Sequence, residues 1–143
     1  MRKFINCLLF GVLLVTSCKK PEVKGNALFE QYFEANILNR NFIITLAENN
    51  SVDITSSYKG YVFVLLKTDM YHGPLKVTLN ASVFEGTWKC NDDYSKLTIS
   101  LPSVPPEFVF LKRDWKFTSK SLPTLKFAPW GTTESIALNM TQQ

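Results

Sequence analysis

Beyond position 40 the chain alternates apolar and polar residues with a period of two. Leu75, Val77 and Leu79 alternate with Lys76, Thr78 and Asn80, and Phe84 and Trp88 with Glu85, Thr87 and Lys89. Leu97, Ile99 and Leu101 alternate with Lys96, Thr98 and Ser100; Leu125 and Phe127 flank Lys126; Ile136, Leu138 and Met140 alternate with Ser135, Ala137 and Asn139. This pattern predicts antiparallel strands with one face on a core and the other in water. Tyr61–Leu66 and Phe108–Leu111 are apolar on both faces, which predicts strands covered on both sides. With Phe42–Ala47 and Asp114–Thr118 the set comes to about nine strands, at the spacing of a barrel or sandwich. Ahead of them, Leu28, Phe29, Tyr32, Phe33, Ile37 and Leu38 recur at helical spacing. They predict a helix over Ala27–Leu38, capped by Asn26, packed on the sheet and ended by Asn39-Arg40-Asn41.

Polar and Gly/Pro-rich stretches separate these elements. Glu48-Asn49-Asn50-Ser51, Asp69 to Pro74, Asn91-Asp92-Asp93, the three-proline loop Pro102–Pro106, Lys112-Arg113-Asp114 and Pro129-Trp130-Gly131 all read as turns or loops. No repeat or internal linker interrupts them. The expectation is one mainly β domain over residues 26–143: an antiparallel lipocalin-like β-barrel, or alternatively a β-sandwich, with one N-terminal helix.

The N-terminus follows another pattern. Arg2 and Lys3 precede an apolar run from Phe4 to Val15, broken only by Asn6 and Gly11. That run is about 12 residues, short of the ~20 that a spanning helix needs. Val15-Thr16-Ser17-Cys18 follows. An aliphatic residue, two small residues and a cysteine resemble the lipobox of bacterial lipoproteins. The resemblance implies a signal peptide over residues 1–17 and acyl chains such as palmitate on Cys18. Residues 18–25 are polar, with Pro21 and Gly25, and suit a tether. The implied location is the cell envelope as an outer-membrane lipoprotein, with the membrane as partner through the anchor.

Composition sharpens this picture. The chain carries 45% hydrophobic and 13% aromatic residues, enough for a real core. Its net charge of +4 drops to +2 once Arg2 and Lys3 are set aside, which does not favour nucleic acid. Of three cysteines, Cys7 lies in the leader and Cys18 at the lipobox. Only Cys90 remains, so no disulfide framework is expected within the domain.

Gly86-Thr87-Trp88, then Asp93-Tyr94-Ser95-Lys96-Leu97-Thr98-Ile99 and Phe108-Val109-Phe110-Leu111…Trp115-Lys116-Phe117, resemble the strand motifs of lipocalin-like bacterial lipoproteins. In lipocalins proper the Gly-x-Trp stands on the first barrel strand, whereas Gly86 and Trp88 follow several predicted strands. The resemblance implies a barrel able to hold a small apolar ligand. Phe63, Phe84, Trp88, Phe110, Trp115 and Phe117 are expected to wall the ligand site, with Arg113 stacked on Trp88. The alternative is a structural or interaction protein of the envelope, its core filled, docking a partner through exposed loop aromatics Tyr58, Tyr71 and Trp130.

Candidate chemistry is sparse. The lone His72 reads as a loop residue, and one histidine with Cys90 builds neither a metal site nor a recognisable nucleophile. Asp92 and Asp93 lack the alternating ligands of a calcium loop and read as a turn. Glu85 and Glu107 are the acids that a glycoside hydrolase could pair. Lys112, Arg113, Trp115, Lys116 and Lys120 read as a solvated hairpin edge. No enzyme, cofactor or metal is expected.

Overall fold

The computed structural model describes residues 25–143. The expected leader, Cys18 and all of the expected tether but Gly25 lie outside the described residues. Helix α1 spans Gly25–Asn36, starting and stopping two residues before the predicted span. Ile37 and Leu38 continue it as a buried turn, and Asn39 closes it with φ +57°.

Nine strands follow: β1 Asn41–Asn49, β2 Val52–Asp53, β3 Tyr61–Leu65, β4 His72–Leu79, β5 Ser82–Cys90, β6 Lys96–Ser100, β7 Asp114–Ser119, β8 Thr124–Pro129 and β9 Ile136–Gln142. Every pairing is antiparallel, in the order β2-β1-β3-β4-β5-β6-β7-β8-β9. β9 then pairs with β1 from Phe42↔Gln142 to Asn49↔Ile136, which closes eight strands into a barrel. Closure excludes the sandwich and leaves the long strands with both neighbours hydrogen-bonded. The short β2 lies outside the ring as a hairpin on β1, turning through Asn50 and Ser51 at φ +51° and +65°.

Three segments depart from the sequence pattern. His72, Gly73 and Pro74 belong to β4 rather than to the preceding turn. Phe108–Leu111 is not a strand but a single helical turn, α2, so Lys112-Arg113-Asp114 leaves a helix instead of turning a hairpin. Thr55–Tyr58 forms a 3-10 turn beside it.

The inward side chains are those the alternation singled out: Leu75, Val77, Leu97, Ile99, Leu125, Phe127, Ile136, Leu138 and Met140 are all buried. α1 covers one mouth of the barrel. Its Phe33 packs on Trp88, Tyr94 and Phe117, with ring centroids 5.9, 4.8 and 6.3 Å away. α2 and the 3-10 turn cover the other. There Phe108 packs on Tyr61 and Phe84 at 5.5 and 5.2 Å, and Tyr58 on Phe110 at 6.2 Å. The barrel is corked at both ends by residues of its own chain.

Candidate functional site

The barrel interior is the site that the sequence points to. Phe63 on β3, Trp88 on β5, and Trp115 and Phe117 on β7 face inward and are buried, as walls of a barrel should be. Phe84 is only half-buried, under Phe108 at the α2 mouth. Phe110 is buried, but it stands on α2 and so belongs to the cork rather than to the wall.

These rings meet one another. Phe33, Phe117, Phe127, Trp115, Phe110 and Tyr58 form a continuous file from α1 to the 3-10 turn. Successive centroids are 6.3, 4.8, 6.3, 5.6 and 6.2 Å apart, which is contact distance for aromatic pairs. Trp88 is 1% exposed and Trp115 0%, so almost none of the surface of either ring is open to water. Their indole N–H groups donate to the Leu66 carbonyl at 2.8 Å and the Leu111 carbonyl at 3.0 Å. Every buried side-chain N or O among the described residues has a hydrogen-bond partner.

Local sequence explains this density. A Cβ on Gly86 would lie 2.1 Å from the Ser100 carbonyl oxygen and 2.8 Å from Leu101 Cδ2. Only glycine lets β6 approach β5 so closely there. The expected stack of Arg113 on Trp88 is replaced by a nearer one. Arg113 follows α2, so its guanidinium lies over Phe110 and Trp115 at 5.0 and 5.3 Å, while Nε donates to the Phe110 carbonyl at 2.8 Å.

Two of the three expected docking aromatics are structural. Tyr58 is buried, and its hydroxyl donates to the Glu107 carbonyl at 2.7 Å. Tyr71 is half-buried, stacks on Tyr94 at 5.4 Å and donates to Glu30. Trp130 is exposed, with Lys96 Nζ 5.5 Å from its ring.

The candidate chemical groups stay apart. His72 points outward, its Nδ1 2.9 Å from Asp69, while the neighbouring Cys90 points inward. Burial pushes the Cys90 thiol up to about 12, far from a nucleophile at neutral pH. Asp93 accepts from the Ser95 amide and hydroxyl at 2.9 and 2.6 Å, which holds its carboxyl below the usual range and builds the β5–β6 turn. Glu107 accepts from the Tyr61 hydroxyl at 2.6 Å within the α2 cork, whereas Glu85 faces out beside Lys76. Among the described residues no three His, Cys, Asp or Glu side chains gather into a metal site.

One apolar feature lies outside the barrel. Leu28 and Phe29 of α1 are 63% and 46% exposed. With Tyr32, Lys120 and Ser121 they line a hollow of about 320 Å³ where α1 meets the β7–β8 connection. Tyr32 donates to the Lys120 carbonyl at 2.6 Å, and Lys120 Nζ sits 4.7 Å from the Phe29 ring. The helical spacing marked Leu28 and Phe29 as apolar, but Lys120 is 91 positions from Phe29 and only the fold brings it there.

Comparison with known proteins finds no matching family model, no matching curated sequence and no matching solved structure.

Proposed function

We propose that this chain is an acyl-anchored protein of the cell envelope, held on the outer membrane through Cys18, that acts by docking an envelope protein on its outer surface. The observation that carries this reading is the aromatic file linking the two corks. An eight-stranded barrel either fills its interior or holds one small ligand. Here a ligand would have to displace rings already in contact and to separate Tyr58, Trp88 and Trp115 from their hydrogen-bond acceptors. A small apolar ligand among Phe63, Phe84, Trp88, Phe110, Trp115 and Phe117 is therefore the less favoured reading. Enzymatic chemistry has no support in the arrangement of His72, Cys90, Glu85 and Glu107.

The anchor rests on the lipobox-like Val15-Thr16-Ser17-Cys18. Among the described residues no helix is long and apolar enough to cross a membrane.

Native mass spectrometry of protein purified from its host tests the interior. The expected spectrum shows the chain with its acyl groups and nothing else, and no uptake of an apolar fluorescent probe. A stoichiometric apolar adduct would overturn the filled-barrel reading. Cross-linking in cells should recover one constant envelope protein, and radioactive palmitate should label the parent but not Cys18→Ser.

A further inference from the structure

We infer that the outer face of α1, with Leu28, Phe29 and Lys120, is a membrane-contact surface that seats the barrel's α1 end on the lipid headgroups. The inference rests on the anchored reading above. Its occupant is a phospholipid surface, and three observations select it.

The first is reach. Gly25 is seven positions beyond Cys18, so α1 begins at most about 25 Å from an acylated thiol even with the chain fully extended. The mouth capped by α1 is therefore the one held close to the bilayer, and the α2 mouth is the distal one.

The second is chemistry. Leu28 and Phe29 are adjacent and exposed in the first half of α1. They stand beside a lysine whose amine is 4.7 Å from the Phe29 ring and 5.4 Å from that of Phe117. Apolar side chains next to a cation match the boundary between acyl chains and phosphates. α1 has no basic residue in its last turn; the cation comes from the β7–β8 connection, held to the helix by the Tyr32 hydroxyl. Lys19, Lys20 and Lys24 precede the helix and carry the same sign.

The third is that three acids on this side are engaged elsewhere. Glu30 accepts from Tyr71, Glu34 pairs with Lys67, and Asp93 accepts from Ser95. The polar segment 19–24 offers only Pro21 and Val23 as apolar cover for the patch.

Depth quenching on the acylated full chain tests this. Protein purified from its host is reconstituted into vesicles of phosphatidylethanolamine and phosphatidylglycerol carrying nitroxide lipids. An environment-sensitive fluorophore is attached at Phe29→Cys or, as the distal control, at Val109→Cys, which is exposed on α2. Cys90 is buried and stays unlabelled in the folded protein. The expected result is a blue-shifted label at position 29, quenched at least roughly fivefold more than the label at 109. Lys120→Glu should reduce that quenching without loss of flotation, since it reverses the contact with phosphate. Three outcomes overturn the inference. Protein that floats with the vesicles while position 29 stays as solvated as 109 removes the membrane face and leaves the anchor standing. Shielding of position 29 that appears only with dimerisation assigns the patch to a second copy. Protein that fails to float removes the anchor and this inference with it.

Discussion

Trp88 donates to the Leu66 carbonyl, and the space around that bond is what a side chain at position 73 would take. A Cβ on Gly73 would stand 2.0 Å from the Leu66 oxygen and 3.0 Å from Trp88 Nε1. Nothing there is a flexible chain end that can swing away. Gly73→Ala should therefore cost about 2–3 kcal/mol by overpacking, read as a lower urea midpoint at unchanged slope. Trp88→Phe removes the bond and part of the ring, and should cost a similar amount. Either variant unfolding with the parent would show that β4 and β5 have slack that their packing denies. Cys90 gives a second test at this scale. Its thiol is buried and pushed up to about 12, with desolvation outweighing the opposing charge of Lys120. Iodoacetamide at pH 8 should modify it only as fast as the barrel opens. Modification at the rate of a free thiol in native buffer would contradict its burial.

At the level of elements, the α2 cork is held by two tyrosines on one glutamate residue. Tyr58 bonds the Glu107 carbonyl and Tyr61 its carboxylate. Tyr61→Phe keeps the ring and leaves a half-buried carboxylate without that donor, so it should cost about 1.5–3 kcal/mol, as bonds to charged groups do. Glu107→Gln, which can still accept, should cost less; the opposite order in thermal unfolding would mean that the pair does not hold the cork. The same element shows where sequence reasoning stops. The strands β4 to β9 were legible because period-two alternation is forced on any sheet with one wet face, and the buried residues Leu97, Ile99, Leu138 and Met140 fell where it put them. The alternation does not separate an open sandwich from a barrel. That depends on β9 meeting β1, with Phe42 opposite Gln142 and Asn49 opposite Ile136, 100 and 87 residues apart. Phe108–Leu111 was illegible in kind: four consecutive apolar residues satisfy a covered strand and a buried helical turn equally. Pro105 and Pro106, one turn before them, settle it locally, because their carbonyls accept from Phe108 and Val109 at 3.1 Å. Tyr58 and Tyr71 looked like exposed loop aromatics because their acceptors, Glu107 and Glu30, are remote in sequence.

The molecule as a whole is a ring of strands stoppered twice, and both stoppers depend on protonated phenols. Tyr58 and Tyr61 hold the α2 mouth; Tyr71 and Tyr94 line the α1 mouth, where the Tyr94 hydroxyl donates to the Met70 carbonyl at 2.7 Å. Tyr61 is pushed up to about 12 by burial and by the carboxylate of Glu107, and Tyr71 to about 12 chiefly by its bond to Glu30. Burial also moves Tyr58 and Tyr94 well above the ordinary value. A free tyrosine titrates near ~10. Above that pH the unfolded chain releases protons that the folded barrel retains, so the unfolded state binds fewer and stability falls as pH rises. The loss begins near pH ~8, as the unfolded Cys90 thiol starts to ionise, and deepens through pH ~12. Below pH ~8 these groups are almost wholly protonated in both states and contribute almost no slope. Urea midpoints should therefore be insensitive to these groups from pH 6 to 8 and drop steeply above 10. Tyrosinate absorbance near 295 nm from these four residues should rise in one step with the loss of near-ultraviolet circular dichroism, because a phenol that ionises releases its cork and the file of rings behind it. A gradual rise centred near pH 10 with the dichroism intact would mean that the mouths are wet and that the aromatic file is not sealed by its ends.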